Sequence, residues 1–378
     1  MQDVYSKSVE LHKKHNGKLE IQSKVPLETR DDLCLAYTPG VAEVCREIAA
    51  DKAKSFTLTF RGNAVAVVSD GSAILGLGNL GAEAALPVME GKAILFKEFG
   101  GVDAFPICLA TQDVEEIIRA VKLLAPNFAG INLEDISAPR CFEIEERLKA
   151  ELDIPVMHDD QHGTAVVVLA GLINALKLRG SSKEEVRIVI NGAGAAGVAT
   201  TKLLLEYGFK DIVMCDSKGI VCEGRDCMNP SKDEMAKITN LAKVTGDLAE
   251  AVRGADVFVG MSAPDVFKPE MIKMMNAKAI IFALANPVPE IMPDVAKEAG
   301  AFIVASGRSD FPNQVNNVLA FPGIFRGALD SHVKQITDEM LIRAAEALAG
   351  AVENPTTEKI IPDPLDKSVA GKIAKVIY

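Results

Sequence analysis

The sequence predicts an α/β protein made of two parallel-sheet domains. Short β-branched runs alternate with helix-period segments along almost the whole chain, which is how parallel strands joined by crossover helices read. The alternation also restarts after the polar stretch GSSKEEV (180–186), as a second series with its own first strand.

At 378 residues the chain is long enough for two or three domains, and 48% hydrophobic residues supply sizeable cores. A net charge of −11 argues against a nucleic-acid partner, which calls for a basic face. The first residues, MQDVYSKSVELHKKHNGK, contain no apolar core of a signal peptide. Apolar runs such as TAVVVLAGLINAL fall short of the ~20 residues that span a bilayer, so no membrane role is expected. Seven cysteines without a CxxC pair predict reduced thiols in the cytoplasm.

In the first series, NAVAVVSDG (63–71) and DAFPICLAT (103–111) read as strands flanking the helix ALPVMEGKAILFKEF (85–99). The helix DVEEIIRAVKLLAP follows with Asp113 as its N-cap, then the strand FAGINLEDI, the helix APRCFEIEERLKA and the strand IPVMHDD. A long helix, TAVVVLAGLINALKL, ends near Gly180, a favoured C-cap residue, and Gly163 suggests that it begins around Thr164. The second series runs through RIVINGAGAAG, DIVMCD, ADVFVG, AKAIIFALANP and AFIVAS. The expected division is a substrate domain over 1–158, a second sheet domain over 159–316, and C-terminal helices over 317–378 that pack back on the first domain.

The restart carries chemistry. Gly192-x-Gly194-x-x-Gly197 lies between a strand and a helix, with Ala195 and Ala196 inside the turn. Such glycines allow a tight turn and close backbone approach, leaving helix-start N–H groups for a pyrophosphate. Nineteen residues past Gly197 the next strand ends in Asp216, placed to bind adenine-ribose hydroxyls. Together these predict a Rossmann-type doubly wound sheet that binds a dinucleotide. Asp216 favours NAD by repelling a 2′-phosphate; Lys218, two residues on, offsets this and keeps NADP open.

Two acid pairs, Glu134–Asp135 and Asp159–Asp160, end successive strands of the first series. The C-terminal ends of parallel strands are where such sheets bind ligands, and carboxylates there suit Mg²⁺ or Mn²⁺. His158 and His162, four apart, offer zinc as an alternative if they share a helix face. A third reading makes Asp159 and Asp160 simple complements of the helix dipole, although it leaves the first pair unexplained. Tyr37, before a Pro-Gly turn, and Lys92, interrupting an apolar helix, are the candidate proton carriers. An apolar setting beside a cation favours neutral lysine, as a general base requires. Each alone also reads as a packing tyrosine or a snorkelling lysine.

Eight ordered segments resemble malic enzymes of the small bacterial type over nearly the full length. They are LAYTPGVAEVCREIA, VSDGSAILGLGNLG, PVMEGKAILFKEFGGVDAF, NLEDISAPRCFEIEERL, HDDQHGTAVVVLAGLINAL, INGAGAAG, FALANPVPEI and NQVNNVLAFPGI. The resemblance implies oxidative decarboxylation of (S)-malate to pyruvate and CO2 with reduction of a nicotinamide coenzyme, in a homodimer. It assigns Lys92 as the base on the C2 hydroxyl and Tyr37 as the acid at C3. Glu134, Asp135 and Asp160 become metal ligands, with Asp159 orienting Lys92. Asn286 and Asn317 reach substrate and the nicotinamide side, and Asn316 is a neighbour. Where larger relatives carry a carboxylate-clamping arginine this chain has Ala73, so the clamp must come from elsewhere. Two other readings compete: an amino-acid-dehydrogenase-type nicotinamide enzyme, which needs no metal, and a non-catalytic nicotinamide sensor.

Overall fold

The computed structural model describes residues 2–75 and 77–378. The first sheet is four-stranded and parallel, in the order β2-β1-β3-β4. Its strands are β1 (Ala64–Ser69), β2 (Asp103–Cys108), β3 (Gly130–Leu133) and β4 (Val156–His158). The chain leaves β1 toward one side and returns to β3 on the other. That reversal opens a crevice at the C-terminal ends of β1 and β3, where ligands bind in such sheets. Both acid pairs emerge there.

The second sheet comprises β5 (Arg187–Asn191), β6 (Asp211–Asp216), β7 (Gly219–Ile220), β8 (Val257–Gly260), β9 (Ile280–Ala283) and β10 (Ile303–Ser306). Its order is β10-β9-β8-β5-β6-β7, all parallel except β7, and the reversal between β6 and β8 falls at the glycine turn after β5. The two-residue β7, absent from the predicted elements, is too short to leave a periodic signal.

The long helix spans Asp159–Arg179 and begins five residues before the expected start at Thr164. Asp159 and Asp160 occupy its first turn, where negative charge complements the helix dipole. Gly163 is not a boundary. A Cβ there would stand 1.9 Å from Asp159 Oδ1, so the glycine makes room for that carboxylate. At 21 residues the helix is long and apolar enough to span a bilayer, yet it is mostly buried between the two sheets, as a core helix is. Gly180 ends it in the left-handed conformation, as predicted (φ 77°).

The C-terminal helix Phe321–Asp330 packs on the helix Ala82–Gly100, with the Phe96 ring centroid 4.7 Å from Phe321 and 5.3 Å from Phe325. The helix Asp338–Gly350 instead lies against Asp159–Arg179.

Candidate active site

Lys92 is on the buried face of its helix. Ala85, Met89, Lys92, Ala93, Phe96 and Gly100 recur at spacings of three and four and are all buried. Packing therefore drives the ammonium inward to the sheet end. There its Nζ lies 2.6 Å from Asp159 Oδ2 and 2.9 Å from Glu134 Oε1, and 4.2 Å from the Phe321 ring centroid. Burial pushes the lysine pKa down, but the charges and hydrogen bonds of Asp159 and Glu134 outweigh it and hold the group above its ordinary value. The apolar setting expected for Lys92 is thus shared by two carboxylates, which favour its charged form.

Glu134, Asp135 and Asp160 converge. One oxygen from each lies within 4.8 Å of the others, the only such metal-competent cluster among the described residues. Asp160 Oδ2 accepts the Asp135 backbone N–H (2.9 Å), and Asn132, two residues back on β3, donates to Glu134 Oε2 (2.9 Å). Burial and mutual repulsion raise Glu134 well above the usual carboxylate range and Asp135 to about 8. Asp135 Oδ2 is buried without a partner. Three crowded carboxylates, two of them buried and one with an unsatisfied oxygen, fit a hard divalent cation.

Asp135 adopts φ 54° and the facing Leu75 φ 43°, left-handed conformations that non-glycine residues hold at a cost of about 1–3 kcal/mol. The loop from Asp70 to Leu75 rests on this residue, with Ala73 N donating to the Asp135 carbonyl (2.9 Å). Arg140 is tied to the same loop through Asp70 Oδ2 (3.0 Å), and Asp70 Oδ1 accepts from Ser72.

Asn317 joins the cluster. Its Nδ2 donates to Asp159 Oδ2 (3.1 Å), and its Oδ1 accepts from Thr164 (3.1 Å). Asn316 does not, because its Oδ1 is spent capping the next turn at Val318 N (3.0 Å). Asn286 is exposed on the loop after β9, with no side-chain hydrogen bond among the described residues, and buried Glu290 fixes that loop by accepting Ala285 N (3.0 Å) and Ser262 N (2.7 Å). Tyr37 stands apart. It is 66% exposed at the end of the helix Arg30–Ala36, and its hydroxyl has no hydrogen-bond partner among the described residues.

The two histidines are not part of a metal-competent cluster among the described residues. They flank a carboxylate that the motif reading passed over, Glu145, on the helix Arg140–Glu151. Glu145 accepts the His158 backbone N–H (2.9 Å), Gln161 Nε2 (3.1 Å) and His162 Nε2. Burial acts to raise its pKa, but the positive charge of His162 and Lys149 prevails and keeps it below the usual range. The available signal was a glutamate on the inner face of an amphipathic helix, which spacing alone does not separate from a surface acid.

At the second sheet, a Cβ on Gly192 would meet the Met261 carbonyl at 2.4 Å, and one on Gly197 the Gly192 carbonyl at 1.8 Å. Gly194, by contrast, faces open space at the start of the helix Ala195–Tyr207, which has no side-chain cap. Tight backbone packing on both sides of an open, uncapped helix start is a cradle for a pyrophosphate. Asp216 is not the free acid that the spacing suggests. Arg225 grips it with both Nη atoms (2.9 and 2.6 Å), Lys232 Nζ lies 2.7 Å away, and Lys218 N donates at 2.8 Å. Burial would raise its pKa, but these partners lower it to about 2.

Comparisons with known proteins agree with this geometry. The family described as "Malic enzyme, NAD binding domain" matches residues 161–377, and "Malic enzyme, N-terminal domain" matches 16–114 and 110–149. The chain is 58% identical to the bifunctional malic/malolactic enzyme of Bacillus subtilis, over 98% of this chain and 91% of that one. It is 55% identical to the NAD-dependent malic enzyme of Geobacillus stearothermophilus, covering 96% and 76%. The crystal structure of the Thermotoga maritima NAD-dependent malic enzyme superposes with a TM-score of 0.95 at 54% identity, covering 98% of each chain. The chain therefore belongs to the malic enzyme family, whose reaction is the divalent-metal-dependent oxidative decarboxylation of malate to pyruvate and CO2 with reduction of NAD or NADP.

Proposed function

We propose that Lys92, Asp159, Glu134, Asp135 and Asp160 carry this reaction, with the division of labour that their contacts suggest. The observation supporting it is the juxtaposition of the three-carboxylate cluster and the Lys92 ammonium, joined through Glu134. Glu134, Asp135 and Asp160 would hold a divalent cation, which would supply electrostatic stabilisation of negative charge on the malate C2 oxygen. Lys92, set at the edge of that cluster by Glu134 and Asp159, is the group that takes the C2 hydroxyl proton as hydride passes from C2 to the nicotinamide. Asp159 keeps the lysine aimed. The resulting β-keto acid loses its C4 carboxylate as CO2, and the enolpyruvate takes a proton at C3 from Tyr37. Asn317 and Asn286 orient substrate and nicotinamide, and carboxylate recognition at Ala73 falls to backbone amides and these side-chain amides.

Tyr37 lies among exposed apolar residues that include Ile21, Leu27, Leu33 and Leu35. Exposed apolar residues concentrated in this N-terminal segment suit a protein interface, and a twofold homodimer covers them most simply. In this reading Tyr37 acts only in the assembled dimer. Seven unpaired cysteines support a cytoplasmic setting. The domain division at residues 158 and 316 accounts for a site assembled from both sheets and the C-terminal helix.

Asp216 has no free oxygen for ribose hydroxyls, and its corner carries a net positive charge once Arg225 and Lys232 are counted. We read this as favouring NADP over NAD. Steady-state assays with malate and Mn²⁺, run with NAD and with NADP, test both claims. Turnover that survives complete chelation of divalent metal removes the mechanism, and equal use of the two coenzymes removes the NADP preference.

A further inference from the structure

Glu145 lies outside both acid pairs, yet it is 4% exposed and surrounded by donors. Its Oε1 accepts His158 N (2.9 Å) and stands 2.9 Å from both His162 Nε2 and Lys149 Nζ. Its Oε2 accepts Gln161 Nε2 (3.1 Å) and lies 3.0 Å from His162 Nε2. Three of these four groups belong to residues 158, 161 and 162, on either side of Asp159 and Asp160.

That bracketing has a geometric consequence. The first turn of a helix has backbone N–H groups without intrahelical partners, and the turn's direction is set by whatever satisfies them. His158, the residue before the first turn, has no side-chain cap of its own, and its N–H is held by Glu145 instead. One carboxylate thus fixes the strand end and the side chains one turn later. Between those anchors, Asp159 points to Lys92 and Asp160 to the Asp135 backbone. Groups that brace metal ligands from behind are commonly worth 10–100-fold in metal affinity.

We propose that Glu145 is a positioning residue for the divalent-cation site: it clamps the His158–His162 turn so that Asp160 meets Glu134 and Asp135. The inference rests on the metal-site reading above and extends it to a residue that touches neither metal nor substrate. A buried ion pair needed only for folding would leave cation affinity unchanged in any variant that folds.

The test is Mn²⁺ titration of the protein without malate or coenzyme, followed by electron paramagnetic resonance of the free ion. Parent, Glu145→Gln, His162→Ala and the exposed control Glu143→Gln are compared, each checked by thermal melting. Glutamine keeps the shape and one acceptor for His158 N, but it turns an amide N–H₂ on Gln161 and His162. The expected result is a weakening of Mn²⁺ binding by about 10–100-fold in Glu145→Gln. A smaller loss is expected in His162→Ala and none in Glu143→Gln. At saturating Mn²⁺, kcat of Glu145→Gln returns to within about threefold of the parent, while NADPH binding followed by fluorescence does not change. Mn²⁺ affinity within about twofold of the parent in both site variants overturns the proposal. So does a kcat that stays low at saturating metal. If Glu145→Gln does not fold, His162→Ala decides by the same readout. A parent that binds no Mn²⁺ removes the metal-site reading and this inference with it, whereas a parent and variants that bind equally remove this inference alone.

Discussion

Acids end parallel strands in both sheets, and the two sheets use them in opposite ways. At the first sheet, Glu134, Asp135, Asp159 and Asp160 face a single lysine, and burial together with mutual repulsion raises the pKa values of Glu134, Asp135 and Asp159. At the second sheet, Asp216 faces both Arg225 and Lys232, so its charge is consumed and its pKa falls. One arrangement is unfinished without an added cation. The other is complete within the chain and offers its surplus positive charge to an anion. Both sets of carboxylates end parallel strands, so burial and the local balance of charge decide which way an acid works.

The comparison can be broken at its unfinished end. Asp160→Ala is expected to abolish metal-dependent turnover, because it removes one of the three proposed ligands and the acceptor for Asp135 N; malate assays across a Mn²⁺ series check this, and wild-type rates at high Mn²⁺ would contradict it. Lys92→Ala is expected to lower kcat by at least ~10²-fold with Mn²⁺ still bound, since general-base contributions run about 10²–10⁴. Parent-like turnover in that variant would hand the base role to another group.

At the finished end the expected effect is on stability and is smaller. The Asp216 pKa is depressed when folded, to about 2, against roughly 3.9 in an unfolded chain. Its stabilising contribution is therefore fully present above about pH 4 and is lost as pH falls toward 2. Asp216→Asn should melt lower than the parent at pH 7, because Arg225 and Lys232 lose their partner, and the gap should close through that acid window. Thermal melts of both proteins from pH 7 to 2 measure it, and a gap that does not depend on pH would mean that the carboxylate charge is irrelevant to folding.

The alternating pattern was legible because strands buried on both faces need continuous apolar runs and their crossover helices need a 3.6-residue stripe. The glycine turn was legible for a related reason: Gly192 and Gly197 sit where a Cβ collides with backbone, a constraint that any such chain must write into its sequence. Less was visible where partners are distant. Arg225 and Lys232 follow Asp216 by nine and sixteen residues, and nothing in their spacing says that they fold back onto it. Gly163 misled for the same reason, as the carboxylate it makes room for is visible only once the first turn is formed.

By itself, the sequence determined the two α/β layers, the dinucleotide turn and the identity of the acids that gather, because these follow from periodicity, steric exclusion and side-chain chemistry within one element. The tertiary structure alone decided that Lys92 stands against two carboxylates, that Asp216 is held by Arg225 and Lys232, that Tyr37 faces outward and that Glu145 accepts from the turn behind the acids. Each of those is a matter of which charges and donors stand within about 3 Å across different elements, where electrostatic and hydrogen-bond energies change most steeply with distance.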